Sequence, residues 1–305
     1  MFFRKWLAGI GLAAAIALPA AAQQGPLVEA EWLAKNLENP KIRVFEVSVN
    51  PGVYERGHIP GAVNLSWHTD LVDPVRRDIV SAENFKKLVE KAGVTKDTTV
   101  ILYGDTNNWF AAWGVWVFNI YGVDAKLVDG GRKYWEDKGL PLDSKTPSYQ
   151  ASKVDLPAPK LALRARLNDV NTAVQNKNVT LVDIRSADEY SGKIIAPEGI
   201  KELSVRAGHI PGAKNVPWGR AVDPQTGKFL PKDQLAKIYA DAGIDGKQPI
   251  ITYCRIGERS SHTWFALSKI LGYNNVRNYD GSWTEYGNTV GLPIVNVAGT
   301  VWQGK

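Results

Sequence analysis

Gly57-His58-Ile59-Pro60-Gly61-Ala62-Val63-Asn64-Leu65-Ser66-Trp67 recurs as Gly208-His209-Ile210-Pro211-Gly212-Ala213-Lys214-Asn215-Val216-Pro217-Trp218, 151 residues later. The chain is therefore a duplication, and the two copies should share one fold. Other landmarks repeat at nearly the same offset. Residues 81–94 parallel 231–244, each an amphipathic helical pattern ending in Ala-Gly, with Phe85, Leu88 and Val89 matching Leu235, Ile238 and Tyr239. Val100-Ile101-Leu102-Tyr103 parallels Ile250-Ile251-Thr252-Tyr253, Asp129-Gly130 parallels Asp280-Gly281, and Gly139-Leu140-Pro141 parallels Gly291-Leu292-Pro293. The copies run over 26–144 and 164–300, joined by a Lys/Pro/Ser-rich stretch at 145–163 that reads as an exposed linker.

Within the first copy, residues 43–47 and 99–103 are almost continuously apolar, with the helical pattern of 81–92 between them. Such runs suit strands buried on both faces. The expected fold is α/β: two tandem domains, each a mainly parallel sheet flanked by helices on both faces. Ligands of such sheets bind beyond the carboxyl ends of the strands.

The N-terminus has the form of a secretory leader. Arg4 and Lys5 precede an apolar run at 6–18, and Ala20-Ala21-Ala22 offers small residues for cleavage before Gln23. The apolar run is too short to span a bilayer. Residues 1–22 are thus expected to be removed on export, leaving a chain free of the membrane in a bacterial periplasm. The full chain carries a net charge of +6. A mild positive charge spread along the chain tolerates small anions and does not form a nucleic-acid surface. A single cysteine excludes an internal disulfide and Cys-rich zinc sites, and the four histidines (His58, His68, His209, His262) lack metal-ligand spacing. No metal or cofactor is called for.

That single cysteine, Cys254, follows the apolar run 248–253 and precedes a helical pattern at 262–271. A strand-to-helix loop gathers backbone N–H groups at the positive end of a helix dipole. Arg255 and Arg259 add charge. These three influences favour the thiolate, the nucleophilic form.

Differences between the copies point the same way. Opposite Tyr253-Cys254-Arg255 the first copy has Tyr103-Gly104-Asp105, with neither thiol nor basic pair. Opposite Asp183-Ile184-Arg185 it has Glu46-Val47-Ser48, so Arg185 is particular to the second copy. Arg185 either reaches the Cys254 loop or forms a surface ion pair with Asp188 or Glu189. The span from Asp183 to His209 is 14 residues longer than that from Glu46 to His58, an insertion near 190–207 that is expected to wall the site and that contains Arg206, a weaker candidate. His58 and His209 occur in both copies and are read as structural. Trp109, Trp113 and Trp116 fall at helical spacing and are read as core or interface packing.

Three motifs resemble those of the rhodanese family, specifically two-domain thiosulfate sulfurtransferases. The first is Tyr54, His58-Ile59-Pro60-Gly61-Ala62 and Leu65, matched in the second copy except for Val205 in the aromatic place. The second is Val276, Tyr279-Asp280-Gly281-Ser282-Trp283, Glu285 and Tyr286. The third is the six-residue loop 254–259. The resemblance implies an inactive first domain, a catalytic second one and a site at their interface. By this likeness Cys254 carries a persulfide, Arg255 and Arg259 hold the anionic donor, and Arg185 matches a family arginine near the sulfur. Ile256, Gly257, Glu258 and Ser260 complete the candidate donor site. Where some relatives have a second basic residue this chain has Glu189. The implied partners are thiosulfate and a thiophilic acceptor, cyanide or a small or protein thiol.

Two rival activities fit less well, and a third is not separated from an enzyme by the sequence. A cysteine-dependent phosphatase or arsenate reductase places its arginine six positions after the cysteine; Arg259 is five after. A 3-mercaptopyruvate sulfurtransferase usually has small neutral residues after the cysteine, where this chain has Arg255. A sulfur carrier without turnover would share every motif.

Overall fold

The computed structural model describes residues 25–199 and 204–301. The expected leader at 1–22 lies outside the described residues.

Among the described residues, ten short strands form two five-stranded sheets whose strand pairings are all parallel. The first contains β1 (Leu27–Val28), β2 (Ile42–Glu46), β3 (Val63–Asn64), β4 (Thr99–Tyr103) and β5 (Ala125–Val128), in the order β1-β5-β4-β2-β3. The second contains β6 (Arg164–Ala165), β7 (Thr180–Asp183), β8 (Lys214–Asn215), β9 (Ile250–Tyr253) and β10 (Val276–Tyr279), in the matching order β6-β10-β9-β7-β8. Even the register repeats: Glu46 pairs with Tyr103, and Asp183 with Tyr253.

Side chains alternate between the two faces of each sheet. Val44, Ile101, Tyr103 and Val128 face one core with Leu33, Ile59 and Trp135; Leu181, Ile251, Tyr253 and Tyr279 face the equivalent core of the second domain. The opposite faces share a single core. It runs from Phe45, Val100 and Leu102 through Trp113, Trp116 and Val117 to Trp264, Phe265, Ile256 and Cys254. The domains are thus joined by a continuous apolar interior. At its centre the helix Trp109–Ile120 packs on the helix Glu258–Phe265, all eight residues of which are buried.

Two features depart from the sequence reading. The helix after the cysteine begins at Glu258, earlier than the apolar pattern at 262–271 suggests, and ends in a wider turn at Ala266–Ile270. Its polar first turn is hidden between domains, so amphipathicity is a poor guide to where it starts. The linker is also more than an exposed tether. The Tyr149 ring lies under the Arg43 guanidinium at 3.3 Å, its hydroxyl donates to Gly61 O at 2.6 Å, and the Ser152 N–H donates to Glu90 O at 2.9 Å. Half-buried side chains alternate with exposed ones along 147–156, and the Val154 N–H also donates to the Glu90 carboxylate at 3.1 Å.

Candidate active site

Cys254 stands directly after β9, at the carboxyl end of the second sheet, and is completely buried. Residues 278–284 hold its loop. The Cys254 N–H donates to Ser282 Oγ at 3.1 Å, Trp283 N–H donates to Cys254 O at 3.1 Å, and Thr284 N–H donates to Arg255 O at 3.0 Å. Ser282 adopts a left-handed backbone, φ 51°. A non-glycine residue is kept there only where its surroundings over-determine it, and its hydroxyl both accepts from Cys254 and donates to Tyr279 O at 2.6 Å.

The thiol sits in a concave turn. The Gly257 N–H points at Sγ at 3.0 Å, and Ser282 Oγ lies 4.0 Å away. Gly257 has φ 100°, and a Cβ there would lie 2.6 Å from the Trp113 ring and 2.7 Å from Asp280 Cα. Glycine is therefore required twice, by backbone conformation and by contact with the first domain. Ile256 is buried and lines a cavity of about 420 Å³ between the domains, with Trp113, Arg77, Arg164 and Asp280. The Ser260 hydroxyl lies 2.6 Å from Asn278 Oδ1 and 3.0 Å from Gly257 O, tying the helix start to β10.

Charges crowd the loop. Arg259 makes two 3.1 Å bonds to Glu189, one from each terminal nitrogen. Glu258 lies among three groups: its Oε1 is 3.6 Å from Arg259 Nε and 3.8 Å from Arg255 Nη2, while the Cys254 thiol meets its Oε2 at 3.4 Å. The sequence suggests surroundings that favour thiolate; the structure corrects this. Burial pushes the Cys254 thiol up, the Glu258 carboxylate adds to that, and Arg259 and Ser260 only partly oppose them. The dipole and arginine effects exist, but desolvation, which the expectation leaves out, and the Glu258 carboxylate one turn away outweigh them.

Arg185 is elsewhere occupied. It is buried, donates to both Asp183 oxygens at 2.6–3.2 Å and donates to Gly208 O at 2.7 Å. It forms neither of the surface pairs considered from sequence. Its counterpart is Arg132, which pairs with Glu46 at 2.7 Å and donates to Gly57 O. The same cationic lock thus comes from different chain positions, and Arg132 occupies the repeat place of Trp283, over which the Arg185 guanidinium stacks at 4.7 Å. Comparing aligned residues makes Arg185 look unique when only its origin is.

The insertion also departs in part from its sequence reading. Tyr54 stacks on His58 at 3.8 Å and donates to Ala62 O; Tyr190 stacks on His209 at 3.6 Å and donates to Ala213 O. Tyr190, not the half-exposed Val205, fills the aromatic place, so the extra residues lie between it and His209. Arg206 donates to the carbonyls of Tyr286, Gly287, Thr289 and Leu292, and pins the C-terminal loop instead of reaching the thiol. Both repeat histidines bond loop carbonyls, of Tyr54 and Tyr190. Trp113 packs on Trp67 and Trp116, and Trp109 meets Trp218 of the other domain edge-on at 4.8 Å. Sequence reasoning misses three supports of the loop: Ser282, Asn278 and Glu189 as the partner of Arg259.

Comparison with known proteins agrees with this architecture. A family model described as a rhodanese-like domain matches residues 29–138 and 166–289. A Mycobacterium bovis protein named "Putative thiosulfate sulfurtransferase 1" is 52% identical over 270 residues, 88% of this chain and 96% of that protein. The "Sulfur carrier protein TtuD" of Thermus thermophilus is 47% identical over 273 residues, 88% of this chain and 95% of its own length. Among solved structures, YnjE superposes with a TM-score of 0.76 at 28% identity, covering 88% of this chain and 68% of YnjE. An anaerobic ergothioneine biosynthesis enzyme from Chlorobium limicola gives 0.76 at 26% identity, covering 88% and 69%. A duplicated parallel sheet, a cysteine loop cinched by the Asp-Gly-Ser-Trp turn and family matches over most of both halves lead to one conclusion: the chain belongs to the rhodanese family.

Proposed function

We propose that this protein is a thiosulfate sulfurtransferase working through a persulfide on Cys254. The observation that carries the reading is the Gly257 N–H aimed at Sγ at 3.0 Å within a loop flanked by Arg255 and Arg259. The Cys254 sulfur attacks the outer sulfur of thiosulfate. A new S–S bond forms, the original S–S bond breaks, and its electron pair leaves with sulfite. The anionic persulfide is then held by the N–H concavity of the loop. A thiophilic acceptor, cyanide or a thiol, attacks the outer sulfur and restores the cysteine. Arg255 and Arg259 receive the donor; Ile256 and Ser260 shape its seat, and Arg185 supports the strand end behind it. The relatives named for thiosulfate sulfur transfer, about half identical over most of the chain, support this reading.

Because Glu189 and Glu258 already answer the two arginines, the donor must compete for them. Charge-assisted bonds to a doubly charged anion are the stronger alternative. Covalent catalysis of this type gives ping-pong kinetics in thiosulfate and acceptor. Parallel lines in a double-reciprocal plot, with thiocyanate formed from cyanide, are expected; intersecting lines contradict the relay. The site of action is the periplasm, after removal of residues 1–22. Edman sequencing of protein from the periplasmic fraction should begin at Gln23, and retention in the cytoplasm with Met1 intact would refute this.

A second reading has one observation in its favour, the named sulfur carrier at 47% identity. As a carrier the chain would load once and discharge to a single partner protein. Repeated turnover with several small acceptors separates the two.

A further inference from the structure

We propose that Glu258 takes the proton from the Cys254 thiol, and that arrival of the donor between Arg255 and Arg259 is what frees it to do so. The proposal rests on the sulfur-transfer reading and assigns a catalytic task to a side chain which that reading leaves idle.

A buried thiol with a raised pKa cannot release its proton to water, so a nearby acceptor must take it. Among the described residues, the groups that meet Sγ are few. The Gly257 N–H donates, Ser260 likewise favours the anion, and the Ser282 hydroxyl is committed to Tyr279 O at 2.6 Å. His262, on the same helix, is stacked on Phe229 at 4.3 Å, and burial holds its pKa down to about 3. The Glu258 carboxylate is the acceptor in place, 3.4 Å from the sulfur.

Its other oxygen explains the control. Arg259 Nε at 3.6 Å and Arg255 Nη2 at 3.8 Å lie beyond good hydrogen-bond distance of Oε1, whereas Arg259 is bonded twice to Glu189 at 3.1 Å. Oε1 is thus held to Arg259 and Arg255 only at ion-pair distance. A dianionic donor seated between the same guanidinium groups makes charge-assisted bonds with them and leaves Oε2 facing the thiol. The groups facing Glu258 are Cys254, Arg255 and Arg259, with Glu189 of the helix Ala187–Ser191 behind Arg259 and the uncharged Ser282 across the sulfur.

The step balances. As the Cys254 sulfur bonds to the outer sulfur of thiosulfate, the S–H proton passes to Glu258 Oε2 and sulfite leaves with the electron pair of the broken S–S bond. Thiol, carboxylate and thiosulfate become persulfide anion, carboxylic acid and sulfite, with no change in total charge. When the acceptor removes the outer sulfur, Glu258 returns the proton to the thiolate.

The test compares wild type with Glu258→Gln in the full chain, by rapid quench and intact mass at pH 6 to 9. Expected is a nearly flat rate of one-sulfur gain in wild type. In Glu258→Gln the rate falls roughly 100-fold near pH 6.5 and climbs about tenfold per pH unit, because hydroxide must do the work. Alkylation of the donor-free enzyme by neutral iodoacetamide is not slowed by the same substitution, since removing a carboxylate also removes repulsion of the thiolate. A Glu258→Gln enzyme that gains sulfur as fast as wild type, with the same pH profile, overturns the proposal while leaving the persulfide intact. Wild type that gains no sulfur strikes the underlying reading instead. Glu258→Asp, which keeps the charge at shorter reach, serves if the amide variant does not fold, and an unchanged rate in it also counts against the proposal.

Discussion

The loops after β4 and β9 occupy the same place in the two halves of the molecule, yet one holds a nucleophile and the other cannot. Cys254 and Gly104 both follow a buried tyrosine, and both carbonyls accept a backbone N–H from the residue at the start of a helix, Trp283 in one half and Arg132 in the other. At Gly104, however, a Cβ would lie 2.3 Å from the Val47 carbonyl oxygen. The first domain therefore lacks more than a thiol: its backbone occupies the space a side chain would need. Asn108 fills the remaining room, accepting from the Gly104 N–H at 2.9 Å and donating to Val128 O at 2.7 Å. The first half also has a structural task. Its helix Trp109–Ile120 packs on the helix that follows Cys254, and Trp113 presses on Gly257.

Substitutions can break this comparison. The largest effect is expected at Cys254 itself. Cys254→Ser should abolish thiocyanate formation from thiosulfate and cyanide while the thermal unfolding temperature changes little, because the hydroxyl fits the same space. A serine variant with wild-type turnover would end the account. Gly257→Ala comes next. It forces a Cβ against Trp113 and Asp280 at positive φ, so a stability loss of roughly 1–3 kcal/mol is expected in urea titration, together with most of the activity. Gly104→Cys, the converse experiment, should destabilise by a similar amount and yield a thiol that takes up no sulfur, read by intact mass in a Cys254→Ser background. Sulfur gained by that introduced thiol would show that the closed backbone does not matter.

A subtler asymmetry concerns Asp129 and Asp280, which head the same turn in each half. Arg164 clamps Asp280 with bonds of 2.7 and 2.6 Å and also bonds Asp78 of the first domain. Asp129 has no such clamp: it accepts the Phe229 N–H at 2.9 Å and a backbone bond from Gly130, with Lys228 3.8 Å away, and burial raises its pKa from 3.8 to about 6. A carboxyl raised in the folded state contributes stability below about pH 4 and loses it as pH rises through 6. Asp129→Asn cannot ionise, so its stability relative to wild type should improve by up to about 3 kcal/mol between pH 4 and 7. A pH-independent difference between the two would disprove the assignment. The smallest expected effect is at Arg255. Arg255→Ala should raise the KM for thiosulfate about tenfold, the loss of one charge-assisted contact, with a smaller change in kcat. Equal kinetics with and without the side chain would remove Arg255 from the donor site.

Much of the fold was legible because duplication turned local patterns into repeated ones. The apolar runs of β2, β4 and β9 announced buried parallel strands, and the Gly-His-Ile-Pro-Gly turns fixed the spacing. The cysteine loop was legible for the same reason, through its contrast with Gly104. What comparison of aligned positions could not reveal was substitution in space. Arg132 and Arg185 do one job from unrelated places, and Tyr190 reaches the histidine of its turn across an insertion. Nor does spacing report competition between charges. Glu258 adjoins Arg259 in the chain, but Glu189 reaches the same guanidinium across 70 residues, and together they change the site from plainly cationic to balanced. The burial of an active helix between two domains, which raises the thiol pKa, likewise has no signature in one helix read alone.

The most direct test of the central claim is the intact mass of the mature protein before thiosulfate, after it, and after cyanide, with the modified peptide mapped. A gain of one sulfur atom on the peptide containing Cys254, lost to cyanide as thiocyanate appears, is the predicted result. An unchanged mass with thiosulfate, while turnover to thiocyanate proceeds, would contradict the persulfide relay.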